Sequence, residues 1–306
     1  MTTRVVSPGS GWRWLRQAID LGRNNPKAVF GGVAIMALVA LIPSVVQMLL
    51  QYGLKLGPEA VMGVIGLTTV ASAVVYPLLI GGLLRIIHAA ENGRPTRATA
   101  IFDTFHAGAG RNRLVGFGLV MLAIYLLVFL LVISLFGKEF LGWYWQLITA
   151  AQSQQPGGAA MPAELLALPE GFGRVMAIGS LFALFMGGVY AIGFGQVALG
   201  GRGVGAALGD GIGGTLKNVL PIVLLAVLSV VAMFALVLVA GIVAGILGLL
   251  GGVVHASLGM LLATPVYLGM LLVVYVVMFG VMYYMWRDIC GDPPAPDVPR
   301  DDHIEL

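Results

Sequence analysis

The chain has 306 residues, 59% hydrophobic and 10% charged, with a formal net charge of +3. A soluble domain carries roughly 25% charged residues, so this composition excludes a globule covered on all sides by water. The basic residues flank apolar runs, which excludes a nucleic-acid surface, and the single cysteine, Cys290, excludes an intrachain disulfide.

Six apolar runs account for the excess: residues 28–50, 60–84, 114–136, 175–198, 219–247 and 258–285, none of which contains Asp, Glu, Lys, Arg or His. About 20 apolar residues cross a ~30 Å hydrocarbon layer as a helix, and every run is longer than that. Helices are implied because they satisfy their own backbone in lipid, whereas a barrel would alternate over ten-residue segments. The expected class is all-α: a polytopic membrane bundle of six transmembrane helices with short cytoplasmic interfacial helices. Segments 1–27, 85–113, 199–218 and 286–306 hold 5, 5, 2 and 2 of the 17 Lys/Arg, against Lys55, Lys138 and Arg174 on the other side. The bias puts both termini in the cytoplasm. The first run starts at Ala28 and is full length, so it reads as an uncleaved span.

Residues 1–9 read as flexible. An amphipathic helix follows, with Ser10 as its N-cap. Its arginines fall on one side and Trp12, Trp14, Leu15, Ala18, Ile19 and Leu21 on the other, the pattern of a helix lying in the headgroup layer. Asn24-Asn25 breaks the chain, and Pro26 suits a first helical turn. Pro43, Pro77 and Pro265 are expected to kink spans 1, 2 and 6. The outer loop Gln51–Glu59 is short enough to make spans 1 and 2 antiparallel neighbours. Thr68, Thr69 and Ser72 can bond across helices or back to the backbone.

In the Arg85–Arg113 connector, Thr96 reads as the N-cap of a second interfacial helix, with Ala98, Ile101, Phe102 and Phe105 on its apolar face. Span 3 is aliphatic and lipid-facing. Phe140, Trp143, Tyr144 and Trp145 form an aromatic belt, and Gln152–Pro162 is linker-like. Span 4 carries Gly187, Gly188, Gly193 and Gly195, which permit close helix approach, as does the Gly241/Gly245 pair of span 5 continued by Gly248/Gly252. The turn through His255 pairs spans 5 and 6. Residues 1–290 form one membrane domain, and the acidic tail from Gly291 (291–306) is disordered. Short echoes around Asp20, Asp103 and Asp210 define three hairpin repeats starting near 10, 96 and 203, all with the same membrane orientation.

His88/Glu91 and Asp103/His106 are spaced i, i+3, so each pair shares a helix face. Imidazole with carboxylate suits zinc or iron, which makes these four the candidate metal ligands. The G-x-G-x-x-G at Gly209–Gly214 lacks the strand that a dinucleotide fingerprint needs. No catalytic residue and no cofactor is implied. The absence of charge within the spans argues against a proton pump or a charged-solute carrier.

The opening Gly11-Trp12-Arg13-Trp14, running to Asn25-Pro26 and a span, resembles a family of uncharacterised bacterial six-span inner-membrane proteins. That family is similar in turn to the membrane domain found beside glycerophosphodiester phosphodiesterases. The resemblance implies a helical bundle in the cytoplasmic membrane and carries no functional residues. Three readings follow. The first is a non-enzymatic scaffold or accessory protein with a protein partner or a second copy at Gly241/Gly245. The second is a transporter or binder of lipid-like or apolar substrates. The third is an inner-face metalloenzyme.

Overall fold

The computed structural model describes residues 3–50, 58–153 and 167–291. The acidic tail 292–306 and most of the loops 51–59 and 152–162 lie outside the described residues. Among those described, every element is helical. They are α1 (Ser10–Ile19), α2 (Pro26–Met48), α3 (Pro58–Glu91), a 3-10 helix (Ala98–Phe105), α4 (Arg111–Phe136), α5 (Lys138–Ser153), α6 (Phe172–Ala198), α7 (Val204–Lys217), α8 (Val219–Val254) and α9 (Ala256–Ile289). Six of them, α2, α3, α4, α6, α8 and α9, are long and apolar enough to cross a membrane. Each overlaps one of the expected spans.

Local chemistry sets the helix ends. Asn25 caps α2 by accepting the Ala28 N–H at 3.1 Å, and Pro26 occupies the first turn. His255 closes α8 and opens α9, its Nδ1 accepting the Ser257 N–H at 3.2 Å. Thr68 and Thr69 return their hydroxyls to the carbonyls of Val64 and Ile65. The aromatic belt of the outer segment lies on a helix, α5, where Phe140 and Trp143 pack on Phe172 at the start of α6.

The three short segments lie on one side, the capped face. Each packs on a hairpin of spans. The 3-10 helix sits on α2 and α3, α7 sits on α6, and α1 sits on α8 and α9. Each therefore covers the hairpin that precedes it in sequence, and the first segment closes the circle on the last hairpin. Small residues set the approach. A Cβ on Gly82 of α3 would lie 2.8 Å from the Ile101 carbonyl carbon, and one on Gly280 of α9 would lie 2.9 Å from the Ala18 Cβ. Both glycines stand nine residues before their helix ends, at Glu91 and Ile289. In the third contact the glycine is on the short segment: a Cβ on Gly211 would lie 2.8 Å from Val189 O. Val189 also precedes its helix end, Ala198, by nine residues.

The apolar core lies beside the capped face. Leu78–Leu84 of α3, Leu114 and Phe117 of α4, Val189 and Ala191–Ala198 of α6 and Met282–Trp286 of α9 are buried there. Farther out, α2 beyond Met36 and α3 before Pro77 bury no described side chain. Leu38, Val45, Leu67 and Val70 are exposed, a surface stable only against acyl chains.

Several expectations need correction. Ser10 lies inside α1, whose N-cap is Gly9 with no side-chain bond; the Ser10 hydroxyl accepts from Arg13 instead. Trp14, Leu15, Ala18 and Leu21 face protein and not headgroups, while Trp12 and Ile19 remain exposed. The second interfacial helix is 3-10, capped by Arg97 and not Thr96. Its buried residues Ile101 and Thr104 are three apart, because side chains at i and i+3 eclipse in that geometry. Residues 3–9, read as flexible, are pinned. Arg4 N–H donates to Ile289 O at 2.9 Å, and the buried Asn218 clamps the strand through the Val6 N–H and Arg4 O. Gly241 and Gly245 have open space where a Cβ would be, so they do not seat a helix of this chain. The real α8–α9 crossing uses Ala240, Ala244 and Gly251, where a Gly251 Cβ would lie 2.7 Å from Gly259 N.

Candidate functional site

Two arrangements could carry function: a polar layer at the capped face and an apolar cavity above it. The polar layer is built around α9. Trp14 Nε1 and Arg13 donate to Asp288 Oδ2 at 2.9 and 3.1 Å, and Arg287 donates to Asp288 Oδ1 at 3.1 Å. Arg4 donates to the carbonyls of Arg287 (3.0 Å), Asp288 (3.2 Å) and Gly291, at the carbonyl end of α9 and just beyond it. Arg85 and Arg113 do the same beyond the end of α6, at Ala198 O (3.1 Å) and Gly201 O. These three arginines hold helix ends, a different role from contacting lipid phosphates.

A second polar path runs inside the protein. The fully buried Gln196 donates to Asp210 Oδ2 at 2.7 Å and accepts from Trp286 Nε1 at 3.3 Å, while Arg202 pairs with Asp210 at 3.1 Å. This network ties α6, α7 and α9 together. Sequence reasoning missed it, because Gln196 looked like one polar residue in an apolar run. Thr215 Oγ1 is buried without a partner among the described residues, against the bare Gly188. Cys290 is buried beneath the Arg4 strand. Its burial, reinforced by the Asp210 carboxylate, pushes the thiol up to about 11.

The four residues singled out as metal ligands are distributed as follows. His88 lies against Tyr283 and Trp286, its Nδ1 3.4 Å from the Tyr283 hydroxyl and 3.3 Å from Asn92 Nδ2. Glu91 accepts the Tyr284 hydroxyl at 2.6 Å, and Arg287 stacks over that ring at 4.7 Å. Asp103 and His106 are exposed on the 3-10 segment, where His106 Nδ1 meets only Asp103 O, at 3.3 Å. Among the described residues no three His, Cys, Asp or Glu come together as a ligand set. The two pairs therefore belong to separate surroundings: His88 and Glu91 bind α9 to α3, and the other pair faces out.

The cavity is partly open to its surroundings, has a volume of about 1040 Å³ and is lined from α1, α2, α3, α6, α8 and α9. Leu15, Ile19, Ile222 and Met285 form its floor toward the capped face. Its walls are Ala, Leu, Val and Met with Phe279, and its polar groups are the hydroxyls of Tyr76, Tyr190, Ser229 and Tyr275. No Asp, Glu, Lys, Arg or His lines it. Gly187 opens into it, with nothing within 4 Å of where a Cβ would stand. Sites that hold small molecules are mostly apolar, with a few convergent polar groups, and run to about 1000 Å³. The cavity has that form and size.

No family model, curated protein or solved structure matches the chain.

Proposed function

We propose that this chain is a multi-pass protein of a bacterial cytoplasmic membrane that binds a lipid-like, apolar molecule in its central cavity, as a carrier or a holder. The observation that carries this reading is the uncharged cavity of about 1040 Å³ between five of the six spans. Apolar walls favour an apolar guest, and their lack of charge disfavours ions. The test is a native mass spectrum of the gently extracted protein beside its Gly187→Trp variant, in which the indole fills the cavity. A stoichiometric lipid kept by the wild type and lost from the variant is expected; equal occupancy in both refutes the reading.

The same proposal places both termini in the cytoplasm, with the capped face inward, on the strength of the Lys/Arg bias. A membrane-impermeant protease that removes an N-terminal tag from intact spheroplasts would contradict it. We also read residues 1–290 as one domain of three hairpin repeats, supported by the circular packing of the short segments. A permuted chain starting at Arg94, with its old termini joined through the tail, should fold; failure to assemble counts against the repeats. A second reading, an accessory protein that pairs through α8, has one observation in its favour: the exposed, bare Gly241/Gly245 face. Disulfide cross-linking of Gly241→Cys in a Cys290→Ala background tests it, and a monomer under oxidation refutes it.

A further inference from the structure

Four hydroxyl-bearing residues line the cavity, and they come from four different helices: Tyr76 on α3, Tyr190 on α6, Ser229 on α8 and Tyr275 on α9. Their depths coincide. Counted from the capped-face ends of the apolar runs, Tyr76 is eight residues from Leu84, Tyr190 eight from Ala198, Ser229 ten from Val219 and Tyr275 ten from Met285. At 1.5 Å per residue these are depths of about 12 to 15 Å, the middle of a ~30 Å hydrocarbon layer. Among the described residues these four hydroxyls make no hydrogen bond, and all four residues are half-buried, unlike the sealed Thr215. Thr68, Thr69 and Thr264, also in spans, return their hydroxyls to the carbonyl four residues back. Ser229 does not.

A hydroxyl left without a partner in an apolar medium costs about 2–7 kcal/mol. Four such groups at one level, in a layer that holds no bulk water, form a recognition ring awaiting a polar group. That group must be uncharged. Among the described residues no Asp, Glu, Lys, Arg or His lines the cavity, so a phosphate or an ammonium at this depth would be uncompensated. A phospholipid headgroup at the capped-face end would meet the apolar side chains of Leu15, Ile19, Ile222 and Met285.

We propose that the cavity takes one neutral lipid, such as a diacylglycerol, a prenol or a quinone. Its ester, hydroxyl or ketone sits at the membrane midplane against Tyr76, Tyr190, Ser229 and Tyr275. This rests on the reading of the cavity as a lipid site and specifies which lipid class it selects. The phenols and the serine donate to carbonyl oxygens or accept from a hydroxyl, and the apolar walls take the chains.

Photo-cross-linking in vesicles tests it with the full chain and three probes carrying the same diazirine acyl chain: a diacylglycerol, a phosphatidylglycerol and a hydrocarbon without a polar group. The diacylglycerol probe should label peptides of α8 and α9 that line the cavity at least tenfold more than the phosphatidylglycerol probe. The variant Tyr76→Phe/Tyr190→Phe/Ser229→Ala/Tyr275→Phe should lose about tenfold of the diacylglycerol labelling and keep the hydrocarbon labelling, which also reports an intact fold. Equal labelling by phosphatidylglycerol, or no loss in the variant, overturns the neutral-lipid assignment and leaves the cavity a lipid site. Labelling by every probe that is unchanged in Gly187→Trp overturns the lipid site itself.

Discussion

Replacing Arg4 by alanine should release the N-terminal strand and expose Cys290. The guanidinium donates to the carbonyls of Arg287, Asp288 and Gly291, which flank Cys290 on both sides. Hydrogen bonds to a charged group contribute about 1.5–3 kcal/mol each, and partial exposure of Arg4 discounts the sum to about 1.5–3 kcal/mol for the whole group. At 1.4 kcal/mol per tenfold, the strand would be open roughly ten to a hundred times more often. The chemistry amplifies the effect. With the thiol pushed up to about 11, only about one in a thousand is thiolate at pH 8. An exposed thiol at its unfolded value of 9.0 is roughly a tenth thiolate at that pH. The only cysteine in the chain is thus its own reporter. Maleimide labelling at pH 8 in mild detergent should quicken at least tenfold in Arg4→Ala and stay slow in Arg16→Ala, whose side chain is exposed. A rate within twofold of wild type would refute the claim that Arg4 holds the strand over Cys290.

The same thiol sets a pH dependence. Its folded value of about 11 exceeds the unfolded 9.0, so its contribution is complete below pH 9 and is lost as pH rises toward 11; stability should fall there by up to about 2–3 kcal/mol, and Cys290→Ala should flatten the decline in thermal unfolding. Gly82→Leu should lower the unfolding temperature sharply, because its Cβ alone would meet the Ile101 backbone, whereas Gly66→Leu, with open space around it, should be neutral or slightly stabilising. Asp210→Ala leaves the fully buried Gln196 amide without its acceptor and should cost about 1–3 kcal/mol in chemical denaturation.

What could be read in the chain follows from range. The spans were legible because apolar length is a local property, and Pro26 with Asn25 marked a start through neighbouring residues. The amphipathic pattern of residues 10–21 identified a face but not its counterpart. Hydrophobic burial is non-directional, so the same stripe serves acyl chains or the ends of α8 and α9. Trp12 and Trp14 therefore looked alike, although one is exposed and the other packs against Asp288. Small-residue spacing on α8 held at Gly248/Gly252, which lie against Gly259 of α9, but missed the register at Gly241, since Gly241 and Ala240 differ by 100° around the helix and only the partner decides between them. The hydroxyl ring was hidden because each member is one tyrosine or serine in a separate run. The pairs His88/Glu91 and Asp103/His106 were seen as pairs, and only the packing of α9 on α3 separates their surroundings.

The circular packing bears on how the protein is made. The docking site of α1 combines Pro221 and Leu225 of α8 with Gly280 of α9, so α1 cannot complete its docking until α9 is synthesised. At 5–20 residues per second, the ribosome needs roughly 13 to 52 s to travel from Ile19 to Gly280. For that interval Trp14, Leu15 and Leu21 are an uncovered apolar stripe at the membrane surface, held by lipid or by a chaperone. A truncation before Gly280 therefore removes part of the docking site of α1, at the opposite end of the sequence.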